Sequence, residues 1–238
     1  MKDVKEYSFI DEQAINKPIL ENATIDNKKI KKYIEKVIKR IVDIIVGLLG
    51  TIMLIPITAV IYITKKILKE DNGPIFYDQL RIGKDGKHFK LYKYRSMIVG
   101  ADEILKEYLD SNEEARVEFE KNQKLRKDPR ITKLGNFLRK TSLDELPQMI
   151  NILKGEMSFI GPRPVVDGEI EKYGTNKEKF LSVKPGLTGY WQVNGRSNTT
   201  YAERIDMELY YVDNQSLWLD IKIFFKTFIS VIKKEGAM

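Results

Sequence analysis

The sequence predicts a mainly helical α+β fold on a monotopic membrane protein, built from a re-entrant helix-break-helix anchor, a small β-hairpin and interfacial amphipathic helices. Three observations carry that prediction. The run Ile41 to Thr64 is apolar apart from Asp43 and the phenol of Tyr62. Two β-prone stretches flank Gly83-Lys84-Asp85-Gly86. Apolar and basic residues alternate at helical spacing before the anchor run and again near the C-terminus. At 238 residues the chain can bury a sizeable core and carry an additional segment.

Composition narrows the chemistry. Lys and Arg number 41 against 34 Asp and Glu, a net charge of +7 that favours a polyanionic partner such as phosphate esters, nucleic acid or an anionic leaflet. The absence of cysteine excludes disulfides, thiolate metal sites and cysteine nucleophiles. A single histidine, His88, leaves almost no room for a zinc site or a Ser-His-Asp triad. Carboxylates, basic groups and a hard cation remain.

Residues 1 to 27 are polar and aperiodic and read as an N-terminal tail. Residues 28 to 69 form the basic helix and anchor. In Lys28 to Arg40, Ile30, Tyr33, Ile34, Val37 and Ile38 recur at helical spacing among lysines, which suits a helix lying along a membrane surface. The apolar run that follows is long enough, at about 1.5 Å per residue, to cross a hydrocarbon core of about 30 Å. Pro56 lies inside it, removes a backbone donor and is expected to break or kink the helix. Basic residues flank both ends, from Lys28 to Arg40 before it and Lys65, Lys66, Lys69, Arg81 and Lys84 after it. Since cytoplasmic flanks collect Lys and Arg, both ends ask for the same side, which a helix that enters and returns satisfies. A kinked single span and a buried helical hairpin stand as alternatives.

Residues 70 to 238 form the catalytic domain. Pro74 to Ile82 and Lys87 to Arg95 are the arms of the hairpin, and Ala101 to Leu125 is one or two charged, solvated helices. Leu217 to Lys234 sets Trp218, Ile221, Phe224, Phe225, Phe228 and Ile232 against Lys222, Lys226, Lys233 and Lys234, equally consistent with a core helix and an interfacial one.

The segment Leu138 to Gln148 carries the strongest chemical signal. Ser142 with Glu145 reads as a capping box, opening a helix striped by Leu143, Leu146, Ile150 and Leu153, with Asp144 complementing its dipole. The same geometry can hold an ionised carboxylate against a phosphoryl group, with Arg139 and Lys140 adding positive charge, which makes Asp144 a candidate nucleophile. Further on, Pro162 and Pro164 bracket Arg163 in a rigid loop. Lys184 to Arg196 mixes turn residues, Tyr190, Trp191, Gln192, Asn194 and Arg196, a mixture suited to a nucleotide pocket or to an aromatic-cored loop.

Seven segments in order then resemble the bacterial sugar transferase family, the monotopic phosphoglycosyl transferases: Lys39-Arg40-Ile41-Val42-Asp43; Pro56; Gly73 to Phe76 with Gln79 to Gly83; Lys93 to Met97; Arg139 with Ser142 to Gln148; Gly161 to Pro164; and Pro185 to Gly189 with Gln192 to Arg196. Relatives commonly carry a serine before the break proline, where this chain has Ile55. The resemblance implies an active site at the cytoplasmic face of the bacterial inner membrane. There Asp144 would attack the β-phosphorus of a UDP-sugar, release UMP and pass the sugar phosphate to undecaprenyl phosphate, the first membrane step of capsule, exopolysaccharide or glycoconjugate synthesis. It implies Mg2+ as cofactor, held by Asp144 and Glu145, phosphate contacts from Arg139 and Arg163, and further substrate contacts from Lys93, Arg95, Gln192 and Arg196. Membrane lipid is the surrounding partner, and a homo-oligomer is left open. A scaffold of the same fold without activity and a basic nucleic-acid-binding protein are the competing functions. The sequence lacks nucleic-acid-binding motifs, so no nucleic acid is expected as partner.

Overall fold

The computed structural model describes residues 12–122, 125–195 and 199–232. The chain divides into two compact units, Met1–Ile41 and Val42–Met238. Helix α1 covers Glu12–Leu68, so helical backbone already occupies part of the segment read as a tail. Once a strong helix is nucleated, each further residue adds a hydrogen bond without a new nucleation cost, which lets weak helix formers join it. In the first unit Ile30, Tyr33, Ile34, Val37 and Ile38 are all exposed, an apolar stripe among lysines.

In the second unit α1 runs through Pro56 without interruption, so the expected break between two helices is absent. Proline's fixed φ is itself helical, and its missing N–H forfeits one hydrogen bond, a loss a long apolar helix absorbs as a local distortion rather than an end. One stripe of this stretch is buried against the rest of the unit. Asp43 is 4% exposed, and Leu54 and Ile61 pack with Tyr94 and Leu138. The Asp43 carboxylate accepts from Ser158 Oγ (3.0 Å) and the Phe159 N–H (2.8 Å). Thr58 Oγ1 meets Tyr94 OH at 2.6 Å, and Lys65 Nζ donates to Asp71 and to the Gly73 carbonyl at 2.8 and 2.6 Å. Gly47 and Gly50 permit the close approach, since a Cβ on Gly50 would meet Met149 Cγ at 2.5 Å and one on Gly47 would press on the Leu153 backbone at 3.1 Å. The opposite side, including Ile44, Ile45, Leu48, Leu49, Ile52, Ile55 and Ile63, is exposed and apolar.

Strands β1 (Phe76–Ile82) and β2 (His88–Tyr94) form the expected antiparallel hairpin, in register from Phe76 opposite Tyr94 to Ile82 opposite His88. A turn with Asp85 and Gly86 at positive φ joins them. The charged segment is two helices, α2 (Ala101–Ser111) and α3 (Glu113–Asn122). Helix α4 (Lys133–Lys140) is capped by Thr132 Oγ1, which accepts from the Gly135 N–H, and by Glu70, which accepts from the Lys133 and Leu134 N–H groups. A turn of 3-10 helix over Leu143–Glu145 leads to α5 (Gln148–Lys154).

Strands β3 (Ser158–Ile160) and β4 (Gly186–Thr188) pair in parallel, a pair absent from the sequence reading. The Gly161 N–H donates to the Thr188 carbonyl and the Gly186 N–H to that of Pro162, so the Gly161–Pro164 loop is clasped against the Pro185–Gly189 segment. Short helices α6 (Asp167–Ile170), α7 (Lys177–Leu181) and α8 (Tyr190–Asn194) surround it, followed by α9 (Tyr201–Asn214) and α10 (Leu217–Ile232). Helix α10 has one buried and one exposed side. Asp220, Ile223 and Ser230 are buried inward, whereas Trp218, Ile221, Phe225, Phe228 and Ile229 stand exposed on the other side.

Asp43→Ala would strand the buried Ser158 hydroxyl and the Phe159 N–H, so a loss of about 1–3 kcal/mol is expected. Thermal unfolding in detergent checks it, and Asp43→Asn, which keeps an acceptor oxygen, should lose less.

Candidate active site

The capping box expected at Ser142 does not form. Ser142 adopts a left-handed backbone, φ 56°, and its side chain makes no cap bond. Its N–H donates to the Arg139 carbonyl, while the Glu145 carboxylate is taken by Lys93 Nζ at 2.8 Å, so neither partner of the box is free to make it. Helix α5 begins only after Pro147, and Asp144 and Glu145 sit on the tight turn before it. A non-glycine residue at positive φ costs on the order of 1 kcal/mol and marks a turn held by its surroundings.

Glu145 lines a cleft with Arg81, Lys93, Gln148, Arg163 and Gln192. Lys93 comes from β2 and Arg81 from β1; Tyr77, the partner of Lys93, and Arg81 lie an even number of residues apart, which places Arg81 and Lys93 on one face of the hairpin. The clasped loop brings Arg163, and Gln192 Nε2 donates to the Leu187 carbonyl at 2.9 Å. Asp144 is the next residue on the turn, half-buried, with Arg139 as its neighbouring cation. Arg139 Nε donates to Ser96 Oγ at 2.9 Å, which orients the guanidinium at the end of α4.

The two carboxylates are driven apart in acidity. Burial, and then the charge of Glu145, push Asp144 up to about 6 in spite of Lys93 and Arg139. Burial would raise Glu145 as well, but the Lys93 ammonium and the Arg163 and Arg81 guanidiniums hold it below its ordinary value. The turn thus presents one carboxylate locked into an ion pair and a second that is ionised at neutral pH yet more basic than an ordinary aspartate, as a nucleophile or base requires.

Five of the sequence-predicted residues, Lys93, Glu145, Arg163, Gln192 and, beside them, Asp144, therefore come together, with Arg139 on the Asp144 side. Arg95 does not. Strand β2 ends at Tyr94, so the alternation that would keep Arg95 beside Lys93 no longer applies; its Nε donates to the Pro74 carbonyl, its guanidinium lies over Tyr77, and it lines a separate cleft with Lys65 and Asp71. Arg196 lies outside the described residues. Arg81 and Gln148 are cleft residues that the sequence reading did not single out as site residues.

The bacterial sugar transferase pattern matches residues 34–234. The chain belongs to the bacterial sugar transferase family. It is 47% identical over 211 residues to an uncharacterized sugar transferase of Haemophilus influenzae, covering 89% of this chain and 44% of that protein. It is 46% identical over 200 residues to the undecaprenyl-phosphate galactose phosphotransferase of Salmonella typhimurium, covering 84% and 41%. It is 44% identical over 199 residues to the exopolysaccharide production protein ExoY of Sinorhizobium fredii, covering 84% and 87%. The chain thus spans less than half the length of the first two relatives and most of the third. The matched region contains every residue of the cleft.

A raised Asp144 also sets a stability prediction. Its folded pKa of about 6 lies above the unfolded value of 3.8, so between those values the native state binds more protons than the unfolded one, and this group's contribution falls as pH rises through the window. Asp144→Asn removes that loss. Its melting temperature should exceed wild type at pH 7.5, and the gap should close below pH 5.

Proposed function

We propose that this chain transfers a sugar 1-phosphate from a UDP-sugar to undecaprenyl phosphate, releasing UMP, as the first membrane step of a surface or secreted polysaccharide. The observation that carries the reading is the divided carboxylate pair, Asp144 ionisable near pH 6 beside an ion-paired Glu145, at the edge of a cleft walled by Arg81, Lys93 and Arg163. The relatives' names point the same way: one is an undecaprenyl-phosphate galactose phosphotransferase and another a UDP-glucose:undecaprenyl-phosphate glucose-1-phosphate transferase. A scaffold would have no use for a turn strained at Ser142 and a carboxylate held at a raised pKa.

In the proposed reaction an Asp144 carboxylate oxygen bonds to the β-phosphorus of the donor while the bond from that phosphorus to the bridging oxygen breaks, its electron pair leaving with UMP. An oxygen of the acceptor phosphate then bonds to the same phosphorus and Asp144 leaves as a free carboxylate. Arg163 and Lys93 offset the negative charge of the phosphates, and Arg139 favours the ionised form of Asp144. Among the described residues no group of three or more His, Cys, Asp or Glu side chains gathers to hold a metal. The pair Asp144 and Glu145 still suits Mg2+, which takes one or two carboxylates and completes its shell with water and substrate phosphate oxygens. Bound there, the ion would screen the repulsion between carboxylate and diphosphate.

The membrane reading rests on α1 and α10. The apolar outer side of α1 and the exposed aromatic side of α10 are surfaces suited to lipid. Asp43 at the start of the apolar run and Lys65 just past its end are both hydrogen-bonded to the body that carries the cleft. Contacts at both ends with one body favour monotopic anchoring at the cytoplasmic face of the inner membrane over a simple span.

Two measurements test this. Membrane-bound protein supplied with undecaprenyl phosphate, Mg2+ and a panel of UDP-sugars should release UMP from at least one donor. Asp144→Asn should lower the rate by about three orders of magnitude or more. The wild-type kcat/KM should climb about tenfold per pH unit below pH 6 and level off above pH 7. A variant that keeps a tenth of the rate removes Asp144 from its role, and silence from every donor counts against the transfer itself. For the anchor, the cysteine-free chain allows single cysteines at the exposed Asn27 and Asn72. Both should be labelled from the cytoplasmic side, and labelling from opposite sides would establish a span.

A further inference from the structure

The cationic wall of the cleft is not neutralised by the protein. Lys93 is spent on Glu145 at 2.8 Å. Arg81 shares a single carboxylate, Glu169, with Arg204, at 3.4 and 3.7 Å. Arg204 has a second partner in Glu208 and lies over the rings of Trp191 and Tyr201. Arg81 has no second carboxylate, and the side chain of Arg163 bonds none. Among the described residues Arg81 and Arg163 therefore stand side by side with two carboxylates in reach of their charge, Glu145, already bonded to Lys93, and Glu169, shared with Arg204, which leaves the wall with an excess of positive charge.

The Arg81 guanidinium is held through both of its terminal nitrogens. Nη1 donates to the Pro164 carbonyl at 3.2 Å and to Glu169, and Nη2 donates to Gln79 Oε1 at 2.7 Å. The Pro164 bond ties it to the loop that presents Arg163. Nε is buried without any acceptor in the protein. A buried N–H of a charged group without a partner is costly, and two neighbouring guanidiniums repel each other. Both penalties are relieved by one thing, an anion with several oxygens placed between them. A planar guanidinium matches the paired oxygens of a phosphate, and a diphosphate carries enough charge to need more than one such partner.

The geometry points to Arg81 as a substrate-binding residue that, together with Arg163, forms a two-guanidinium seat for the diphosphate of the donor. This rests on the transfer reaction proposed above and adds to it which side of the cleft takes the phosphates. Glu169 is then a competitor for Arg81 as well as its anchor, and that sets the test.

Purified protein in detergent is titrated calorimetrically at low salt with inorganic pyrophosphate and with UDP, with no turnover required. Arg81→Lys, which keeps the charge but loses the planar fork, should bind both at least tenfold more weakly, with a melting temperature close to wild type. Glu169→Gln, which frees Arg81 from its competitor, should bind them as tightly as wild type or more so. A merely structural Arg81–Glu169 tie predicts that both variants lose affinity and melting temperature together, and that result overturns the inference. So does wild-type protein that fails to bind pyrophosphate, or Arg81→Lys that binds it unchanged. The two readings separate cleanly. Pyrophosphate binding lost in Arg81→Lys while no donor turns over would sustain the seat and remove the transfer reaction. UMP release by Arg81→Lys with an unchanged donor KM would do the reverse.

Discussion

One helix has to satisfy two environments along the same stretch, and the rest of the fold follows from how α1 does it. From Asp43 to Lys65 its inward stripe sets small and polar residues, Asp43, Gly47, Gly50, Thr51, Thr58 and Lys65, among the buried Leu54 and Ile61, where the opposite side is Ile, Leu and Val. Every polar group named on that stripe is matched: Asp43 by β3, Thr51 by the Gly47 carbonyl, Thr58 by Tyr94, and Lys65 by Asp71 and Gly73. The partners are the elements that build the site. Gly47 and Gly50 seat the Met149 and Leu153 positions of α5, which starts directly after the Asp144 turn. Asp43 seats β3, which runs straight into the loop of Arg163. Both arms of the cleft are thus fixed by one side of the apolar helix, whose other side is exposed and apolar.

The second constraint is electrostatic. A carboxylate that attacks phosphorus must be ionised at neutral pH, yet a carboxylate stabilised by tight ion pairing is a poor nucleophile. The turn divides the demands between two adjacent residues. Glu145 takes the ion pair with Lys93, and its charge, added to burial, keeps Asp144 from becoming as acidic as its cationic surroundings would make it. Burial acts to raise both, and Lys93, bonded to Glu145, brings Glu145 down. Together they separate, as two interacting acids do.

Much of this was legible in the sequence because it is local. The hairpin is written in two β-prone arms around Gly83 to Gly86, and the charged segment in its periodicity. Asp144, Glu145 and Arg163 announce themselves by charge next to turn residues, whereas Lys93 is reached only through the family resemblance. The parallel pair β3/β4 was not legible, since three-residue strands carry no period and their pairing joins segments far apart in the chain. Helix α9 did leave a signal, the capping box of Thr200 and Glu203, which the structure shows formed. The box at Ser142 has the same spacing and does not form, because Lys93, remote in sequence, takes its glutamate. Arg81 was hidden for a similar reason: its place in the cleft depends on the register of β1 against β2. Arg95 misled because it stands one residue past the strand whose alternation would have placed it.

The contrast between those two boxes shows what the turn is for. At Thr200 nothing competes for Glu203, and the local bond wins, giving an ordinary helix start. At Ser142 a local helix start would have drawn Glu145 back onto the Ser142 N–H and placed Asp144 in the first turn of a regular helix. Lys93 pulls Glu145 toward the cleft instead, the Arg139 carbonyl accepts the abandoned N–H, and Pro147, which needs no donor of its own, begins α5. The backbone strain left at Ser142 is the consequence of that substitution of a distant partner for a local one. Because α4 is fixed by Glu70 and Thr132 at one end and α5 by α1 at the other, the turn between them cannot relax into the helix its sequence would favour.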